Sequence, residues 1–225
     1  MATHAEVSEP ERRVGGPRTW AGDTPDERRA ARREALLMAG IALLGHPNGP
    51  SVTTRAVCRE SKLTQRYFYE SFQDYDSFVE ASYRRAWEIV RSSAVRNVAE
   101  LTDKKQIIKA AVRSWTKVIA NQPDVVRTIL QAPDTESVLK EPALRQRADA
   151  ELLALRVLDD VEDPLARTMI VRSVWGSLRT LFMSYMNDEM DCSLLDFESR
   201  CETILVRLLI PSECGNDGSG PRGRL

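Results

Sequence analysis

TTRAVCRESKLTQRYFYESF, residues 53 to 72, reads as two short helices joined by a tight turn. Val57 and Cys58 share one helical face, Leu63 follows in the turn, and Phe68 and Phe72, four apart, fall together on the inner face of the second helix. The other faces of that second helix are left free.

Those outward positions carry Gln65, Arg66, Tyr67 and Tyr69, with no acidic residue until Glu70. Thr64 is placed to cap the helix, so that its first-turn amides face an approaching anion, and Thr53, Thr54 and Arg55 open the helix before it. These side chains suit duplex DNA. Arg forks onto guanine and Gln onto adenine in the major groove, each pair giving roughly 1–3 kcal/mol of discrimination, and Tyr hydroxyls suit phosphate oxygens.

Charge is distributed to match. The chain of 225 residues has a net charge of −1, but between residues 28 and 72 eight basic side chains stand against three acidic ones. That local +5 leaves −6 for the remainder. A basic head on an acidic body keeps the body off the duplex and argues against indiscriminate coating of nucleic acid.

Working outward, residues 1 to 24 are rich in Pro, Gly, Glu and Arg without periodicity and read as a mobile arm, whose Arg12, Arg13 and Arg18 are candidates to follow a minor groove. A first helix is expected from Pro25 or Asp26 to Leu44, broken by His46, Pro47, Asn48, Gly49 and Pro50. Asp74 and Asp76 suit the start of a long fourth helix with Phe78, Val79, Tyr83, Trp87 and Val90 on one face. Further helices are expected near 103–121, 123–131, 141–160, 164–187 and 193–210, separated by Gln122-Pro123, Pro133, Pro142 and Pro164, and the Gly/Ser-rich tail from 212 reads as disordered.

The order and spacing of residues 33 to 81 resemble the helix-turn-helix of TetR/AcrR-type transcriptional regulators. Arg33 followed by Leu36, Leu37, Ala39, Leu43 and Leu44 is similar to that family's first helix, and Gly49 falls where its loop carries a glycine. Thr53, Arg55, Val57, Leu63, Thr64, Phe68, Tyr69, Phe72 and Phe78 fit its signature. Beyond Ala81 the resemblance is architectural only. Two positions depart: Lys62 stands where a turn glycine is usual, at a cost of roughly 1–2 kcal/mol for a left-handed backbone, and Tyr75 stands where a phosphate-binding lysine is usual.

The resemblance implies an all-α fold: an arm over 1–24, a three-helix helix-turn-helix domain over 25–74, a larger helical ligand-binding and dimerisation domain over 75–211, and a tail over 212–225. It implies contacts from Arg33, Thr53, Thr54, Arg55, Thr64, Gln65, Arg66, Tyr67, Tyr69 and Tyr75 to double-stranded DNA at a near-palindromic operator. It implies a homodimer through the helices near 164–187 and 193–210, where Gly176 lets backbones approach. It also implies a pocket for a small hydrophobic effector, with repression as the family default. Candidate lining residues are Trp87, Trp115, Ile119, Met169, Trp175, Phe182 and Met183, with Tyr185 beside them.

Other classes fare worse. No apolar run is long enough to span a bilayer and the first residues lack a signal-peptide core, so a cytoplasmic protein without membrane contact is expected. Cys58, Cys192, Cys201 and Cys214 form no CxxC, and the only histidines are His4 and His46, so no metal, cofactor or structural disulfide is expected. No poised nucleophile, acid–base pair or phosphate-cradling loop marks an enzyme. The alternatives are an all-helical dimeric carrier of hydrophobic molecules and an interaction module with a vestigial helix-turn-helix.

Overall fold

The computed structural model describes residues 24–49, 52–98 and 101–210, without the side chains of 94–98, 149–150 and 152–153. The expected arm with Arg12, Arg13, Arg18 and Trp20, and the tail with Cys214, lie outside the described residues. Among these residues there is no strand. The order is α1 Pro25–Leu44, α2 Thr54–Ser61, α3 Gln65–Ser71, α4 Tyr75–Val98, α5 Lys104–Asn121, α6 Pro123–Thr135, a 3-10 turn Ser137–Leu139, α7 Lys140–Val157, α8 Pro164–Met186 and α9 Leu194–Leu209.

The helix starts follow local chemistry. Thr24 and Glu27 form a reciprocal capping box ahead of Pro25: the Thr24 hydroxyl accepts from the Glu27 amide at 3.2 Å, and the Glu27 carboxylate accepts from the Thr24 amide at 2.6 Å. Thr53, Asp103, Asp163 and Ser193 each accept a backbone amide at the start of α2, α5, α8 and α9. Val57, Cys58, Phe68 and Phe72 are buried as their spacing requires, and the Phe68, Phe72 and Phe78 rings lie 5.0 to 5.7 Å apart, locking α3 onto α4.

The turn between α2 and α3 keeps its left-handed residue despite the lysine. Lys62 has φ 56 and ψ 30, its amide donates to the Arg59 carbonyl, and the Leu63 amide reaches back to the Cys58 carbonyl at 3.0 Å. Lys62→Gly removes the Cβ strain while giving the unfolded chain more freedom, so a net gain of about 0.5–1 kcal/mol is expected in denaturant unfolding.

Helix α6 joins head and body. The Thr128 hydroxyl donates to the Ile41 carbonyl of α1 at 3.0 Å, and the Arg127 guanidinium, only 7% exposed, donates to the Asn187 side chain at 2.7 Å and to the Met186 carbonyl at the end of α8. The end of α1 presses on the start of α6: a Cβ added at Gly45 would lie 2.1 Å from the Asp124 carbonyl oxygen.

The prolines correct two expected boundaries. Pro133 does not end α6, which continues to Thr135. The Ile129 carbonyl, which the missing proline N–H leaves free, faces the Tyr83 hydroxyl at 3.5 Å, and Arg179 Nε donates to the next carbonyl, Leu130, at 2.9 Å. Pro142 lies inside the first turn of α7, where no amide donor is needed.

Candidate nucleic-acid interface

Helices α2 and α3 present one solvent-facing surface. Gln65, Arg66 and Tyr69 on α3 are exposed, Tyr69 by 62%, and Arg55, Arg59 and Lys62 extend the surface along α2 and the turn. Phe68, edge-on to Tyr69 with centroids 5.4 Å apart, anchors that exposed ring from below. Arg66 leans on Glu70 at 2.8 Å, and this pairing raises the affinity of its guanidinium for its proton. Both side chains are largely in water, so the pair is weak and a base edge can displace it.

The threonines divide their roles. Thr53 spends its hydroxyl on the Ala56 amide at 3.1 Å and holds the start of α2, with Thr54 half-buried beside it. Thr64 sits at the N-cap of α3 in extended backbone but makes no side-chain cap bond, so the capping expected of it is not made and its exposed hydroxyl stays available to a ligand.

Two arginines and two tyrosines have packing roles. Arg33, expected at the DNA, lays its guanidinium 4.7 Å above the Phe72 ring, and Arg32 does the same over half-buried Tyr67 at 4.6 Å. Arg32 finds its stacking partner 35 residues away, a pairing that leaves no signature in spacing. Tyr75 departs most from expectation. Its ring packs against the core and its hydroxyl turns toward the body, 3.4 Å from the Glu136 carboxylate. Burial, then the Glu136 charge, push its phenol up to about 12.

The expected effector residues lie deeper in the body, and four of them form one ring cluster. Trp87 stacks on Trp175 at 5.8 Å and meets Trp115 edge-on at 5.9 Å, while Trp115 stacks on Phe182 at 5.8 Å. Tyr185 and Phe197 continue the cluster, their rings 4.4 Å apart. Ile119 is buried, and Met183 half-buried against the same core. Met169 stands apart from them, 60% exposed on α8. Burial raises the thiol of Cys58 and pushes Cys201 up to about 11, so both are poor nucleophiles.

Among the described residues no helix is long and apolar enough to cross a membrane, and no three His, Cys, Asp or Glu side chains are grouped to hold a metal ion.

No protein-family model and no curated protein matches the chain. Solved structures do. A tetR-family transcriptional regulator from Streptomyces coelicolor superposes with a TM-score of 0.61 at 15% identity, covering 78% of this chain and 81% of that one. The fatty acid degradation regulator FadR from Bacillus halodurans gives 0.64 at 9% identity, covering 82% and 96%. A TetR-like transcriptional regulator from Rhodococcus sp. RHA1 gives 0.64 at 12%, covering 81% and 98%. With about four fifths of its length covered in each superposition, the chain has the all-helical fold of TetR-family transcriptional regulators.

Proposed function

We propose that this chain is a dimeric, sequence-specific DNA-binding transcriptional regulator, released from its operator by a small hydrophobic molecule. The observation that carries the reading is the exposed α2–α3 surface. Gln65 is exposed to meet a base edge, Arg66 meets one by exchanging Glu70 for it, Arg55, Thr64 and Tyr69 are exposed to meet phosphates, and the cations of the head surround them. Tyr75, turned to Glu136, leaves each head one cation short of the lysine pattern, so DNA affinity falls less steeply with salt than it would with that lysine in place.

The pairing surface is α8. Leu165, Met169, Ser173, Gly176 and Thr180 are exposed along one stripe with a single charge, Arg172, at its edge, and Ile204 and Leu208 of α9 are exposed as well. A Cβ at Gly176 would meet nothing within 4 Å in the protomer, so its bareness serves no packing within the chain. Two copies joined there present two reading helices to two half-sites related by the same two-fold axis. Gly176→Arg is expected to give a monomer by sedimentation at micromolar concentration; a wild-type protein that itself sediments as a monomer would count against the pairing.

Selection from random duplexes at fixed salt tests the DNA reading. Wild type is expected to enrich a near-palindrome, and Arg66→Ala to lose about 1–3 kcal/mol of discrimination at one position of each half-site. Tyr69→Phe weakens all sequences alike. Absence of any enriched motif would leave the carrier or interaction-module readings. An effector entering among Trp87, Trp115, Trp175 and Phe182 must part rings already in contact, and a coupling of about 1–3 kcal/mol would lower operator affinity roughly 5- to 150-fold. A compound that binds there without changing operator affinity contradicts the release mechanism.

A further inference from the structure

The geometry points to a second ligand site on the outer side of the body, and we propose that it takes an anionic amphiphile: an acidic headgroup on a short aliphatic chain. A cleft of about 550 Å³ lies between α5 and the first turns of α9, within the usual range of small-molecule sites. One wall is cationic. Lys109, Arg113 and Lys117 recur every fourth residue, so they line one face of α5 over about 12 Å. The rest of the rim carries Leu101, Leu194 and Leu195, the last 78% exposed, with the Glu198 carboxylate as its one acid.

The charge of α5 is unusual for this protein. Its segment KKQIIKAAVRSWTKVIAN has five cations and no acid, within a body that is otherwise acidic. Lys104 is held by Asp159 and Asp160, and Arg113 by Glu198 at 3.2 Å and more loosely by Glu202. Glu198 is itself fixed by the Thr116 hydroxyl at 2.5 Å. Lys109 and Lys117 have no ion-pair partner among the described residues, so the mouth of the cleft carries two cations that none of the described acidic side chains pairs with.

The lining narrows the occupant. No aromatic ring faces the cleft, so the stacking that holds single-stranded nucleic acid is missing. Cations along one wall and exposed leucines along the other match a molecule that is charged at one end and apolar at the other. Dimerisation leaves the site open, because Leu195 and Ile204 are nine residues apart on α9 and therefore about 180° around the helix. The site is distinct from the aromatic cluster and does not depend on the DNA-binding reading.

The test is calorimetric titration of the full chain with monomeric dodecyl phosphate, with dodecanol and inorganic phosphate as half-ligand controls. One molecule per chain is expected to bind saturably and more tightly than either control. Lys109→Glu combined with Lys117→Glu, and separately Leu195→Asp, are expected to weaken it by about tenfold, or ~1.4 kcal/mol. All three residues have exposed side chains, so unchanged circular dichroism and melting temperature will certify the fold. Vesicles bearing dodecyl phosphate distinguish the source. Co-sedimentation lost in the same variants assigns the headgroup to a lipid surface, and binding of monomer alone assigns it to a free amphiphile. Absence of saturable binding in either arm overturns the proposal, as does binding that both variants leave unchanged.

Discussion

Gly45→Ala is expected to destabilise the protein by about 3 kcal/mol, the upper end of the usual overpacking range. Gly45 has φ −92 and ψ 4, a backbone that any residue adopts, so its glycine is not there for conformation. It is there for proximity. An added Cβ would meet the oxygen, carbonyl carbon and Cα of Asp124 at 2.1, 2.7 and 2.8 Å. All three are backbone atoms at the start of α6 and cannot rotate aside, so α1 must move off α6. For a chain of this size about 1 kcal/mol shifts the melting temperature by ~2–4 °C, so a fall of roughly 6–12 °C is expected. Gly49→Ala is the control. With φ +52 and nothing within 4 Å of an added Cβ, it carries only the left-handed penalty of roughly 1–2 kcal/mol. Equal losses from the two substitutions would mean that α1 and α6 are not in such close contact.

Arg127→Ala is the second large effect, expected at about 3 kcal/mol. The guanidinium is buried on α6 and ties down the end of α8 by donating to the Met186 carbonyl and the Asn187 side chain. Hydrogen bonds to charged groups contribute about 1.5–3 kcal/mol, and truncation also removes the packed stem. Arg127→Met keeps most of that stem and is expected to lose about 2 kcal/mol, whereas Arg127→Lys restores the charge without the fork that reaches two acceptors. Denaturant midpoints should fall in that order with an unchanged m-value. A change of m instead would show that α8 has come loose in the native state.

Much of the architecture was legible because its causes are local. Pro25, Asp103, Pro164 and Ser193 mark helix starts through chemistry confined to one turn, and the four-residue spacing of Phe68 and Phe72 fixes the buried face of α3. The left-handed turn at Lys62 was legible only through the resemblance, which puts a glycine at that position; a lysine by itself announces no positive φ. Tertiary causes were hidden. Pro133 ends no helix because Tyr83, fifty residues earlier, stands beside the freed carbonyl, and nothing in the local sequence announces that.

The proposed DNA-facing surface shows the same division. Gln65, Arg66 and Tyr69 face solvent as helical periodicity requires. Arg33 and Tyr75 carry the side-chain types expected at a phosphate, yet one covers Phe72 and the other turns to Glu136. Residue type tells what a group is able to bind; the partner is set by which elements fold against it. The same holds for Gly45, whose role is set by α6 rather than by its own loop.

The aromatic cluster gives the chain a built-in optical reporter. Three of its four tryptophans, Trp87, Trp115 and Trp175, lie within 6.2 Å of one another by ring centroid, and Trp20 lies outside the described residues. Transitions of indoles at that separation couple, so the cluster is expected to add an exciton signature to the dichroism of the unlabelled protein that an isolated indole lacks. A molecule that parts those rings is expected to remove that signature, so its entry can be followed without a dye.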